Sequence, residues 1–321
     1  MKYYFVLNPG SGNKKHKNDI LREIRDTARE LGEDFDVYFT KGPKDAEHYV
    51  RNLCETCAKA EADAEPETIR IIGCGGDGTV NELVNGAYWF EHVEIGVIPQ
   101  GTGNDYIRNY GESDAFRSVR RQMLGCSRPS DLIEYRALSE GEEIRGLCAN
   151  MFNIGFDCNV VHMTDRVKQL PLMSGSLAYL VSVFITLAGK KETSLRVEYG
   201  DGTVYDDVLL LLSIANGCFC GGGIKGVPRS VLDDGLMDVS LIRGGVTRNY
   251  FVRMFPKYQK GTHLEDPRME GVIDYRQEET LTVTANDGAM RLCVDGEIMN
   301  CEKAAFRVVP KAIRFLVPQG L

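Results

Sequence analysis

Residues 69–86 read IRIIGCGGDGTVNELVNG, a β-branched apolar run that enters a cluster of four glycines and leaves into a helix-like pattern. Gly73, Gly75 and Gly78 match G-x-G-x-x-G, the pattern of dinucleotide-binding turns. A glycine-rich turn between a strand and a helix N-terminus favours phosphate, because backbone N–H groups can approach the anion. The stretch therefore predicts a strand, a phosphate-binding turn and a helix in succession.

Asp77, which stands among these glycines, disfavours a dinucleotide at this turn. A dinucleotide-binding turn follows the first strand of its unit and needs an acidic residue about 20 positions later for the ribose. Here the turn follows the third predicted strand, and residues 96–101, GVIPQG, contain no acid. Asp77 would also repel a pyrophosphate unless a cation lay between them. A polyphosphate bridged by a metal ion fits this turn better than NAD. Taken alone, the glycine pattern would be equally consistent with a plain turn that binds nothing.

The first 130 residues alternate between strand and helix patterns. Strands are predicted at 3–8, 35–40, 69–73 and 94–99, and helices at 17–31, 43–60, 79–87 and 113–124. This alternation predicts a mostly parallel sheet with helices on both faces. Two further glycine-rich turns, NPGSG (8–12) and GTGND (101–105), end the first and fourth strands. The carboxyl ends of parallel strands share one edge of the sheet, so we expect the three turns to converge there.

From about residue 131 strand patterns follow one another. They are LCANMFNIGF, TSLRVEY, VLLLLSIAN, LMDVSLIR, TLTVTA and MRLCVD, interrupted by helical patterns at 157–187 and 247–260. Strands in direct succession predict an antiparallel, sandwich-like second domain. The last strands, AFRVVP and AIRFLVP, could finish this domain or return to the first. A chain of 321 residues is long enough for two domains.

Composition excludes some classes of protein. The net charge of −8 argues against a broad nucleic-acid surface, which needs a basic footprint. The longest apolar stretch, 177–189, is shorter than the ~20 residues of a membrane span. Ten scattered cysteines and a start that reads as a strand, not a signal peptide, predict a cytoplasmic protein with reduced thiols.

Five motifs in one order carry a resemblance to a known family. They are NPGSG (8–12), GGDGTVNE (75–82), PQGTGND (99–105), DDGLMDV (233–239) and VDGE (294–297). With them the chain resembles the diacylglycerol kinase catalytic-domain family, which includes bacterial lipid kinases related to sphingosine and ceramide kinases. The resemblance implies an α/β nucleotide-binding domain (1–131, plus a returning segment at about 304–321) and a β-sandwich lipid-substrate domain (132–303). It also implies an active site in the cleft between them.

The resemblance implies an ATP-dependent phosphotransferase that acts on the hydroxyl of a lipid such as diacylglycerol, with Mg²⁺, in phospholipid biosynthesis. The residues implied to bind ATP are Asn8, Pro9, Gly10, Ser11, Gly12, Thr40, Gly73, Cys74, Gly75, Gly76, Asp77, Gly78, Thr79, Thr102 and Asp105.

Catalytic and structural magnesium are implied by the same resemblance. Asp77, Asp105 and Asp295 would organise catalytic magnesium, and either Glu297 or Asp295 would accept the proton of the hydroxyl. A second, structural magnesium would lie near Val231, Asp234 and Leu236. Of these three, Val231 and Leu236 offer only backbone carbonyls, because magnesium requires oxygen ligands.

Simpler interpretations stay open for several motifs. D-G is a strong hairpin signal, so the residues of VDGE alone favour a hairpin turn. The basic run Lys14–Lys17 could contact phosphate or an anionic membrane, or form a solvated first helical turn. The apolar pattern at 177–187 could line a cleft for acyl chains or belong to the core. We expect peripheral association with the membrane that contains the lipid. The oligomeric state is left open, and a homodimer is one of the alternatives.

Two other functions compete with a lipid kinase. NAD kinase is also a GGDGT enzyme that phosphorylates a hydroxyl, but NPGSG and PQGTGND fit the lipid kinases better. A non-catalytic nucleotide- or lipid-binding protein is the other alternative, although both carboxylates of VDGE are present. Diacylglycerol, phosphatidylglycerol, a sphingoid base and an undecaprenyl-type alcohol all remain possible acceptors.

Overall fold

The structure, a computed structural model, describes residues 2–11, 14–60, 67–156 and 192–321. The chain divides into two units. Unit 1 consists of Met1–Ser130 and Lys311–Leu321, and unit 2 of Asp131–Pro310. We expected about 304–321 to return to the first domain. In the structure residues 304–310 belong to unit 2 and 311–321 to unit 1.

Unit 1 has the predicted α/β architecture. Its elements are β1 (Lys2–Leu7), α1 (Lys14–Leu31), β2 (Asp34–Phe39), α2 (Asp45–Ala60), β3 (Ile69–Gly75), α3 (Asp77–Ala87), β4 (Val93–Pro99) and α4 (Val119–Met123). The strands lie in the order β4-β3-β1-β2, and all are parallel. Every residue of β3 and β4 is buried, as their continuous apolar runs require of strands covered on both faces.

Helices cover both faces of this sheet. On one face, Ile24 of α1 and Met123 of α4 pack with Phe5 of β1. On the other face α2 and α3 lie so close that a Cβ at Gly86 would be 2.9 Å from Val50. The helix predicted at 113–124 is wrong in part. A 3₁₀ turn occupies Ser113–Arg117, and the extended Ser118 caps the short helix α4 through its side chain.

Unit 2 is rich in antiparallel strands, as predicted. Its elements are β5 (Cys126–Ser139), β6 (Glu142–Cys148), β7 (Met151–Gly155), β8 (Thr193–Tyr199), β9 (Val204–Ala215), β10 (Met237–Arg243), α5 (Arg248–Lys260), β11 (Ile273–Glu278), β12 (Thr280–Ala285), β13 (Met290–Val294), β14 (Glu297–Cys301) and β15 (Lys303–Val317). β5 begins, and β15 ends, in unit 1. The buried core of unit 2 includes Phe152, Leu212, Val239 and Leu292. The predicted strand at 147–156 is wrong as one element, because the chain breaks between β6 and β7 at Ala149 and Asn150.

The strand β15 takes part in two pairings. Residues 303–307 pair antiparallel with β12, and residues 314–315 pair parallel with β4. The helical pattern at 157–187 and the apolar stretch at 177–189 lie outside the described residues. Among the residues that the structure describes, no helix is long and apolar enough to cross a membrane.

Candidate active site

Three glycine-rich turns converge at the carboxyl edge of the unit 1 sheet, as predicted. The Asn8 amide donates to the carbonyl of Cys74 at 3.1 Å, which links the turns after β1 and β3. The Asn8 side-chain amide also lies 3.5 Å from the Thr79 hydroxyl. The turn after β4 joins them, because the Gln100 amide donates to the carbonyl of Gly75 at 2.7 Å. Hydrogen bonds across neighbouring strands therefore fix all three turns.

Glycine is required here by close approach. A Cβ at Gly75 would lie 2.1 Å from the Thr79 hydroxyl oxygen, and a Cβ at Gly101 would lie 2.8 Å from the Gly76 Cα. Both distances are too short for any other residue. Gly78 differs, since a Cβ there would meet nothing within 4 Å. The third glycine of a dinucleotide turn serves helix–strand packing, and Gly78 does not.

Two predicted carboxylates meet beside Gly103. A Cβ at Gly103 would lie 2.9 Å from Asp77 Oδ2 and 3.4 Å from Asp105 Oδ2. Both oxygens therefore lie within 3.4 Å of one point. The other oxygen of Asp77 accepts the Tyr106 amide at 3.2 Å, which holds this first residue of α3 against the turn after β4. Two carboxylates that follow different strands thus share one small region.

Two residues that we did not predict shape this turn. Asn104 adopts a left-handed backbone conformation with φ 52°, and its side chain donates to the carbonyl of Gly101 at 2.7 Å. The Arg108 guanidinium donates to the carbonyl of Gly103 at 3.1 Å and lies 3.5 Å from Asp105. Asn104 belongs to the GTGND motif and could have been found from it. Arg108 lies beyond the motif, and the sequence carried no signal for it.

The remaining ATP-binding predictions lie around the same edge, except one. Thr40 follows β2, and its amide donates to the carbonyl of Leu7 at 2.9 Å. Ser11 closes its turn by donating to the carbonyl of Asn8, whereas Thr102 is exposed. Gly12 lies outside the described residues.

Glu82, the last residue of the GGDGTVNE motif, has a structural contact. Its carboxylate accepts the amides of Lys44 and Ala46, each at 3.0 Å. These amides belong to the start of α2, where backbone N–H groups have no partner within the helix. Glu82 therefore caps α2 and ties it to α3.

In unit 2, Asp295 and Glu297 occupy a tight turn between β13 and β14. Val294 pairs with Glu297, and both turn residues have positive φ, 46° at Asp295 and 98° at Gly296. Two successive positive φ angles are typical of two-residue hairpin turns, and glycine adopts such an angle at position 296 without steric cost. The hairpin interpretation of VDGE is confirmed, while the catalytic roles of its carboxylates stay a prediction.

The Asp295 carboxylate is held by a cradle of backbone amides at the break between β6 and β7. It accepts the amides of Ala149, Asn150 and Met151 at 3.0, 3.1 and 3.0 Å. The Cys148 thiol lies 3.1 Å from the same carboxylate. Burial, followed by the charge of Asp295, raises the pKa of Cys148 well above its usual value, so this thiol stays protonated and can donate.

Glu297, two residues later, is exposed at the start of β14. None of the described residues donates a hydrogen bond to its carboxylate or forms an ion pair with it. The two carboxylates of VDGE therefore differ. One is fixed by the backbone, and the other is directed to solvent.

The predicted residues of the structural magnesium site lie on the loop before β10. Asp234 is exposed, and one of its carboxylate oxygens accepts the Leu236 amide at 3.0 Å. Val231 is exposed as well. The buried Asp131, which we did not predict, holds this loop, because it accepts the Gly235 amide at 2.7 Å and donates its own amide to the carbonyl of Leu232 at 2.6 Å.

Magnesium fits the donors beside Gly103. Among the described residues there is no group of three or more His, Cys, Asp or Glu side chains that could hold a metal. Magnesium in phosphoryl-transfer sites is commonly bound by one or two carboxylates together with phosphates and water. The two oxygens of Asp77 and Asp105 match that requirement, and a protein cage is not needed.

Comparisons with known proteins identify the family of the chain. Residues 2–135 match the family model described as the diacylglycerol kinase catalytic domain. Residues 150–317 match the one described as the YegS C-terminal NAD kinase beta sandwich-like domain.

Relatives match most of the chain. A protein of Bacillus subtilis (strain 168) named diacylglycerol kinase is 27% identical over 98% of this chain and 95% of its own length. A protein of Stenotrophomonas maltophilia (strain K279a) named "Probable lipid kinase YegS-like" is 27% identical over 99% of this chain and 97% of its own. A protein of the same name from Xanthomonas oryzae pv. oryzae (strain MAFF 311018) is 30% identical over 71% of both chains.

A solved structure confirms the fold. The crystal structure of a diacylglycerol kinase from Bacillus anthracis str. Sterne has a TM-score of 0.70 at 20% identity. It covers 99% of this chain and 97% of its own. At this identity the likeness concerns the fold alone.

Proposed function

Because the chain belongs to the diacylglycerol kinase catalytic-domain family of lipid kinases, we propose that it transfers the terminal phosphoryl group of ATP to the hydroxyl of a lipid such as diacylglycerol. The observation that carries this proposal is the meeting of Asp77 and Asp105 beside Gly103, at the edge where three glycine-rich turns converge. Phosphoryl transfer depends on positioning and on stabilisation of charge, which backbone amides and metal-binding carboxylates supply.

The glycine-rich turns would hold the phosphates, and Asp77 and Asp105 would hold magnesium. When bound, magnesium neutralises charge on the phosphate oxygens. The Arg108 guanidinium keeps Asp105 and the carbonyl of Gly103 in place, so it would orient this site without touching the substrate.

Glu297 is the proposed acceptor of the hydroxyl proton. A general base needs open access to the proton that it removes, and Glu297 is exposed with no described partner. Asp295 is a poorer candidate, because three backbone amides already occupy its carboxylate. We assign Asp295 the role of a positioning residue that fixes the turn carrying Glu297.

The acceptor resides in a bilayer, so the proposal includes peripheral binding to a membrane. The lysines of the run Lys14–Lys17 are candidates for contact with anionic headgroups. Changing Lys14, Lys15 and Lys17 to Gln should weaken sedimentation with anionic vesicles and reduce its dependence on salt. Unchanged sedimentation would exclude a role for this run.

The test uses radiolabelled ATP and magnesium with mixed micelles that contain diacylglycerol. Parallel reactions offer phosphatidylglycerol, a sphingoid base, an undecaprenyl-type alcohol or NAD. Labelled phosphatidic acid is the expected product. Label on NAD alone would favour the NAD kinase alternative, and ATP binding without transfer to any acceptor would favour a binding protein.

The Asp77→Asn variant ties this activity to the site. Asn has nearly the same size and keeps one oxygen but loses the charge that binds magnesium. We expect kcat to fall about a hundredfold or more. Asp114→Asn is the matched control, because Asp114 is an exposed carboxylate of the same unit whose described ion pair is with Arg117. Near-normal turnover of Asp77→Asn would contradict the assignment of Asp77.

A further inference from the structure

Phe39, the last residue of β2, presents an aromatic ring to solvent at the carboxyl edge of the unit 1 sheet. Its exposure is 44%. The described residues of unit 1 leave two other large apolar side chains exposed, Trp89 and Leu124. Trp89 lies beyond the C-terminal end of α3, at the opposite edge from Asp77, and Leu124 follows α4. Phe39 alone of these three stands beside the glycine-rich turns.

The register of the sheet places Phe39 next to the first glycine-rich turn. Phe39 pairs with Leu7, and the Thr40 amide donates to the carbonyl of Leu7, so the end of β2 is fixed against the end of β1. Side chains alternate along a strand, and Phe35 and Val37 pack with Leu7 in the core on the α1 face. Phe39 continues that face beyond the core, beside the turn that begins at Asn8.

The carboxylates lie at the other end of the same edge. Asp77 and Asp105 follow β3 and β4, and the strand order is β4-β3-β1-β2. Neighbouring strands are about 4.8 Å apart, so β2 lies about 10 Å from β3. A diphosphate and a ribose can span that distance. The terminal phosphates of a nucleotide would lie beside the carboxylates. If the rest of the nucleotide crosses the turn after β1, its base reaches the end of β2.

We infer that the purine base of the nucleotide stacks on the ring of Phe39. This inference rests on the proposed function and adds the direction in which ATP lies along the edge. Bases have apolar faces, and an exposed aromatic ring is the side chain that stacks on them. On the opposite face of β2, Tyr38 is already stacked on Tyr49 at 3.8 Å, so Phe39 is the ring of this strand end that remains available.

The test compares ATP with inorganic tripolyphosphate, which has the phosphates but no base. Isothermal titration calorimetry with magnesium measures the Kd of each for the unaltered protein, Phe39→Ala, Phe39→Tyr and the control Trp89→Ala. Loss of a base stack should raise the Kd of ATP about 5- to 150-fold in Phe39→Ala. Tripolyphosphate affinity should not change, which also shows that the variant is folded. Phe39→Tyr should keep most of the ATP affinity, and Trp89→Ala all of it.

Two outcomes would overturn the inference by itself. If Phe39→Ala binds ATP as well as Trp89→Ala does, the base is elsewhere. If ATP and tripolyphosphate weaken equally, Phe39 supports the turn and not the base. Absence of ATP binding to the unaltered protein would overturn the proposed function together with this inference.

Discussion

Replacing Asp295 by asparagine should destabilise unit 2, whereas replacing Glu297 by glutamine should remove turnover and leave stability unchanged. The reason is the contrast between the two carboxylates. Asp295 accepts the amides of Ala149, Asn150 and Met151, while Glu297 is exposed. Asparagine tolerates the left-handed backbone that Asp295 adopts at φ 46°, so the backbone adds little to the cost.

The magnitude follows from the hydrogen bonds. One carboxylate oxygen accepts the amides of Asn150 and Met151, and the other accepts the amide of Ala149. In asparagine one of these oxygens becomes an NH₂ group, which cannot accept, so at least one buried amide loses its partner. An unsatisfied buried donor costs about 1–3 kcal/mol, and the lost charge weakens the other bonds. We expect the free energy of unfolding to fall by about 2–4 kcal/mol.

Glu297→Gln should behave in the opposite way. An exposed side chain without partners contributes within about 0.5 kcal/mol to stability. Removal of a general base costs about 10²- to 10⁴-fold in rate. Urea unfolding and kinase turnover measure the two quantities. Asp287→Asn is the matched control, because Asp287 is an exposed residue that also precedes a glycine at a turn between strands.

Two results would refute this reasoning. If Asp295→Asn unfolds at the same urea concentration as Asp287→Asn, the amide cradle does not stabilise the turn. If Glu297→Gln keeps normal turnover while the stable fraction of Asp295→Asn has none, Asp295 and not Glu297 accepts the proton. Hydrogen exchange at the amides of residues 149–151 reports on the cradle directly and should accelerate only in Asp295→Asn.

Two further predictions concern unit 2. Burial lowers the pKa of His263 to about 4, so between about pH 6.5 and 4 the unfolded chain binds a proton that the folded protein excludes. The free energy of unfolding should therefore fall by up to about 3 kcal/mol as the pH drops through that window. His263→Phe should show a shallower fall in urea unfolding, and an identical pH profile would contradict this. We expect magnesium to raise the Tm of the unaltered protein by binding the loop before β10, and Asp234→Ala to abolish that rise. Equal melting of both proteins with and without magnesium would exclude that site.

Local patterns predicted the strands of unit 1 and most of its helices, but not the 3₁₀ turn that replaces the first part of the helix predicted at 113–124. The apolar runs of β3 and β4 predicted buried parallel strands, and the structure buries every residue of both. Parallel strands leave their carboxyl ends at one edge, so the three glycine-rich turns had to meet there. Periodicity and connectivity alone thus predicted the place where Asp77 and Asp105 meet.

Contacts between distant residues could not be predicted in this way. Asp131 holds the loop of Asp234 through the Gly235 amide, which is 104 residues away in sequence. The break in the strand predicted at 147–156 has a similar cause, because the amides of Ala149 and Asn150 turn towards Asp295 and away from a neighbouring strand. Neither the residue types nor their spacing in the sequence predicts these long-range hydrogen-bond partners.

The turn Asp295–Gly296 shows how a structural and a functional interpretation can both apply to the same residues. The D-G pair accounts for the hairpin, and the hairpin sets Glu297 opposite Val294 at the start of β14. It does not account for the direction of the Asp295 carboxylate, which depends on amides 144 to 146 residues earlier in the chain. That long-range contact fixes the turn, and a fixed turn holds the backbone of Glu297 in place. Under the proposed function, an enzyme that relies on positioning needs such a support for its base, and the Asp295 carboxylate would supply it for Glu297.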